Sequence, residues 1–139
     1  MKIEDKRTLL ESYLAKPLVP FRRGDGDCVA FCKGWVNELL GESSAQLFQL
    51  LPQTFGDVKR SLNKKSLTLQ VEEELFARGF QERKKPNDGD IVTFSSPDAL
   101  EGIGLGIFKD GKAITRIAAE KPALYIEPEP EILKIWKYC

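Results

Sequence analysis

The residue pattern of this chain changes at Gly79. Before it, apolar residues recur at helical spacing; after it, they alternate and are punctuated by hairpin turn chemistry. Residues 4 to 14 place Leu9, Leu10, Tyr13 and Leu14 on one face of a helix, and Pro17 and Pro20 then break into an extended connector. A second helix is predicted from Cys28 to Leu40, with Asp27 as its N-cap and Gly41 closing it. Its apolar face is Cys28, Phe31, Cys32, Trp35 and Leu39. "SSAQLFQLLP" and "FGDVKRSLNKK" read as two further short helices. Ser66 caps "LTLQVEEELFARG", which Gly79 ends.

Strands follow. "FQER" reads as a short one, "KKPNDGD" as a turn, and "DIVTFSS" as an alternating strand. "GIGLGIFKDGKAITRI" reads as a hairpin around Lys109-Asp110-Gly111-Lys112, because Asp-Gly is a strong two-residue turn signal. "ALYIEP" and "ILKIWKYC" add two strands, joined by a stiff "EPEPE". Helices first and an antiparallel sheet second predict an α+β fold in which the cysteine-bearing helix packs on the sheet. One domain over 1–139 is expected: 1–20 the first helix and Pro-rich connector, 24–79 the helical half, 80–139 the sheet half.

Lys plus Arg number 21 and Asp plus Glu number 21, so no basic surface speaks for nucleic-acid binding. No apolar run is long enough to span a membrane, and "MKIEDKRTLLESYLAK" is amphipathic rather than a secretory leader, so a cytoplasmic site of synthesis is expected. The chain has 3 cysteines and no histidine. Cys28 and Cys32 are i, i+4 neighbours, a poor geometry for a disulfide. Cys28, Cys32 and Cys139 are the residues a partner-completed metal site would use, but C-x-x-x-C matches none of the common ligand spacings. No metal and no cofactor are expected. Lacking histidine, the chain lacks the commonest general base. Trp35 and Trp136 read as core, and "EPEPE" reads equally as a docking edge or an exposed connector.

The order of three motifs carries a resemblance: "GDGDC" at a helix start, then "DGDIVTF", then "GLGIFKDGK". Together they resemble the NlpC-type cell-wall cysteine peptidases, a branch of the papain-like fold. The resemblance runs from about Gly24 to Ile117. It implies that Asp27 and Cys28 match the family's Asp-Cys pair, with Cys28 as nucleophile, and that Gly89, Asp90, Ile91 and Val92 match its middle strand. It puts Gly104 where the family carries its catalytic histidine and Thr115 near the third polar residue. Glycine cannot take a proton. The chain is more similar still to histidine-lacking, uncharacterised proteins of phage and prophage tail-gene regions, which end in a short tryptophan-bearing strand as "ILKIWKYC" does.

That resemblance implies a non-catalytic structural or assembly protein of a phage tail tip or baseplate. Its expected partners are other tail or baseplate proteins, with an oligomer of this chain possible within a symmetric assembly, and its expected location is the host cytoplasm during assembly and then the virion tail. Asp27, Cys28, Gly104 and Thr115 would be a vestigial site. The competing reading is a peptidoglycan-degrading or thiol-dependent enzyme in which Cys28 works with a non-histidine base such as Asp90, Asp110 or Glu101, and Thr115 as third residue. Arg22 and Arg23 would favour a thiolate but cannot shuttle protons.

Overall fold

A computed structural model describes residues 3–17, 28–41, 66–97, 102–116 and 124–138, and in the second helix the side chains from Phe31 onward. The described residues form three helices, α1 (Ile3–Leu14), α2 (Cys28–Leu40) and α3 (Leu67–Ala77). They also form six strands: β1 (Phe80–Glu82), β2 (Ile91–Ser95), β3 (Ile103–Lys109), β4 (Lys112–Arg116), β5 (Leu124–Glu127) and β6 (Ile132–Tyr138). The class is α+β. The proposed Asp27 cap, the two short helices between Gly41 and Ser66, and Cys139 lie outside the described residues.

Local chemistry sets the element ends. Gly41 takes φ +68° and its N–H donates to the Asn37 carbonyl at 2.9 Å, which stops α2. The Ser66 hydroxyl accepts from the Leu69 N–H at 3.2 Å and starts α3. Asp110 (φ 51°) and Gly111 (φ 78°) both adopt the left-handed region, so β3 and β4 meet in a tight mirror-type turn with Lys109 paired to Lys112.

All neighbouring strands are antiparallel, in the order β1-β6-β2-β3-β4-β5. The C-terminal strand is thus inserted between β1 and β2. All three helices pack on one face, where Phe31, Cys32, Trp35, Val36, Leu39, Leu10, Val71 and Leu75 meet Ile91, Leu105, Ile107, Ile114 and Trp136. The opposite face carries a second cluster of Val92, Phe94, Ala113 and Ile135, edged by Phe108 and Ile132.

The connection between β5 and β6 requires the sheet to curl. From Glu127 to Ile132 the chain crosses from β5 to β6, which are four strand spacings apart, about 19 Å in a flat sheet. Extended backbone over those five steps reaches only about 16–18 Å. The two ends also lie at different heights, Glu127 level with Ala113 and Ile132 level with Phe94. A flat sheet cannot be joined this way. The sheet must therefore curl, and a bulge between Thr93 and Phe94 assists the bend.

Candidate functional site

Cys28 opens α2, which packs against β3 and β4. The Cys28 and Asp27 side chains lie outside the described residues. What the fold does describe is the partner strand. Gly104 pairs with Phe94, and a Cβ built on Gly104 would sit 2.6 Å from the Phe94 Cζ and 2.7 Å from its Cε2. Phe94 belongs to the second cluster, whereas Leu105 and Ile107 pack toward α2. A side chain at position 104 would therefore project away from α2. Gly106 shares that side and is tighter still, its built Cβ lying 2.6 Å from the Ile114 carbonyl oxygen.

Thr115 alternates with Ile114 and stands on the Ala113 side of β4. It is buried, and its Oγ1 donates to the Leu105 carbonyl at 2.5 Å, tying β4 to β3. Gly104 and Thr115 are brought to adjacent strands, but on the face that α2 does not cover.

Asp90 is fully buried at the entrance to β2. Its carboxylate accepts from Arg83 Nη1 at 3.2 Å and from the Asn87 N–H at 2.9 Å, and faces Lys6 Nζ at 3.7 Å. Those partners come from α1, from the residue after β1 and from the turn before β2. The carboxylate is thus an anchor for three segments. Beside it, the Trp35 indole N–H donates to the Gly89 carbonyl at 2.7 Å, fixing the middle of α2 to the same turn. Asp110 is exposed in its hairpin and pairs with Lys109 at 2.7 Å. That hydrogen bond holds its carboxyl below the usual carboxylate range, which weakens it as a base. Its backbone N–H donates to Asp88 Oδ1 at 2.9 Å. Glu101, Arg22 and Arg23 lie outside the described residues.

Cys32 is buried at 1% exposure in the helix-side core. Among the described residues no three His, Cys, Asp or Glu side chains are arranged to hold a metal ion. No described helix is long and apolar enough to cross a membrane.

Two polar residues near α2 escape a reading by periodicity. Tyr13 looks like one more apolar position of α1, yet its phenol donates to the Phe31 carbonyl and its ring packs on Phe31 and Trp35. Burial, then the Cys32 thiol, push its ionisation well above the ordinary tyrosine value. The legible signal was Gly34: a Cβ there would run into the Tyr13 ring, so glycine leaves the seat for it. Arg116, at the end of β4, is buried at 5% exposure, and its charge works in the opposite direction on Tyr13.

No family model, no curated protein and no solved structure matches the chain.

Proposed function

We propose that this chain is a non-catalytic structural or assembly protein of a phage tail, at the tail tip or baseplate. Its scaffold would be papain-like, of the NlpC type, with the catalytic residues gone. The observation that carries the reading is that the chain has no histidine, while Gly104, at the position where the resemblance calls for one, stands on the face that α2 does not cover. At the position where the resemblance calls for an imidazole, the space beside the backbone is filled by an aromatic ring.

Two of the groups offered as a base, Asp90 and Asp110, support the same reading. Asp90 is committed to Arg83 and Lys6, and Asp110 sits exposed in a hairpin with its carboxyl stabilised as the anion. Amide hydrolysis by a thiol also needs an acid to protonate the leaving amine. Neither aspartate is set up to supply one. The chain would then be retained for its shape, working among other tail or baseplate proteins in the host cytoplasm and ending in the virion tail.

The test is to tag the chain in a lysogen that encodes it, induce particles and separate them from soluble protein on a density gradient. The tag is expected to travel with tails or tail intermediates. A tag confined to free soluble protein, with particles assembling normally in a deletion strain, would remove the tail assignment.

A further inference from the structure

β1 covers only the second half of β6. Glu82 pairs with Trp136, the Arg83 N–H donates to the Ile135 carbonyl at 3.0 Å, and the chain then bends away at Lys84 and Lys85. The first half of β6 is left as one wall of a groove of about 330 Å³, with Arg83 and Lys84 on the other wall. Here lies the bulge: Thr93 pairs with Lys134 and Phe94 with Ile132, so Leu133 has no counterpart in β2. Leu133 is 49% exposed. An extra strand residue with an apolar side chain in water is a recurrent means of aiming a side chain at something else.

The flanks of the groove carry opposite charge. Lys84 and Lys85 are exposed on the β1 side. Glu129 and Glu131 are exposed just upstream of Leu133, where Pro128 and Pro130 stiffen the backbone. Among the described residues none of these four is held in an ion pair, whereas the neighbouring Lys134 is taken by Glu72 and Glu82. A patch with an acidic flank, an apolar centre and a basic flank is complementary to itself under a two-fold rotation.

We propose that this surface joins two copies of the chain, Glu129 and Glu131 of each meeting Lys84 and Lys85 of the other across paired Leu133 side chains. The patch is small and its charges exposed, so the dimer is weak and salt-sensitive. Prolines that preset the acidic segment lower the entropy lost on contact. The contact requires no tail partner, so its failure would leave the tail assignment standing.

Sedimentation equilibrium on the full chain tests it. At low salt the wild type is expected to show a monomer–dimer equilibrium that shifts to monomer as salt rises. The double variants Lys84→Glu/Lys85→Glu and Glu129→Lys/Glu131→Lys are each expected to be monomeric, with melting curves like wild type. Mixed in equal amounts, they are expected to recover the dimer. A wild type that stays monomeric at every concentration, variants that associate as wild type does, or a mixture that stays monomeric would each overturn the proposal. A monomeric wild type that binds a synthetic Glu-Pro-Glu-Pro-Glu peptide would overturn it too, in favour of an acidic segment from another protein.

Discussion

Phe94 lies across Gly104, so close that the smallest side chain on that glycine would meet the ring at 2.6 Å. Phe94 is itself 2% exposed and has little room to retreat. Gly104→Ala is therefore expected to destabilise the protein by about 1–3 kcal/mol, the usual cost of overpacking. That outweighs the roughly 0.5–1 kcal/mol that replacing a strand glycine would otherwise return. Chemical denaturation checks it: the midpoint should fall in Gly104→Ala and recover partly in Gly104→Ala/Phe94→Leu.

Gly104→His restores the residue that the family resemblance calls for, but on the face of the sheet away from α2. No gain in thiol reactivity is expected from it. Alkylation rates measured against pH should give the same profile for the wild type and for Gly104→His wherever the variant remains folded. A new inflection near the pKa of histidine in the variant would place position 104 beside a thiol after all.

Asp90 and Asp110 were equally attractive as bases in the sequence, and the fold separates them. Asp90→Ala leaves Lys6 and Arg83 facing a buried gap. A loss of about 2–4 kcal/mol is expected, below the full cost for a buried pair because both cations keep some contact with water. Asp110→Asn sits in an exposed turn that asparagine also favours, so its stability should stay within about 0.5 kcal/mol of wild type. Thermal and denaturant melts of the pair distinguish an anchor from a turn residue.

Glu72 predicts the acid limb of stability. Hydrogen bonds from Lys134, and more weakly from the Trp136 indole, hold its carboxyl below the ordinary value of 4.5. A group with a depressed folded pKa stabilises the native state above its unfolded pKa. That contribution is lost as the pH falls through the lower, folded value. Glu72→Gln is thus expected to be less stable than wild type near neutrality and to converge on it under acid. Denaturation midpoints measured between neutral pH and pH 3 would show the two curves closing; parallel curves would contradict the assignment.

Much of the local structure is written in short stretches of sequence. Ser66, Gly41, Gly79 and the Asp110-Gly111 pair mark ends and turns through backbone preferences that need no distant partner. The insertion of β6 between β1 and β2 is not local, since it joins residues 132–138 to 80–82 and 91–95. β2 shows the same divide. Its alternation is real, but Ile91 and Val92 are both buried, Ile91 in the helix-side core and Val92 in a second cluster on the other face. The motifs of the candidate site were equally readable as motifs, while the face on which Gly104 and Thr115 stand depends on register. A shift of one residue would turn both toward α2.

A hydrolysis assay reads out whether the scaffold retains any catalysis. Purified full-length protein and Cys28→Ala would be incubated with peptidoglycan and with stem-peptide fragments, and new amino groups counted over time. No turnover above buffer is expected for either protein. Release of new amines by the wild type that Cys28→Ala abolishes would contradict the non-catalytic reading.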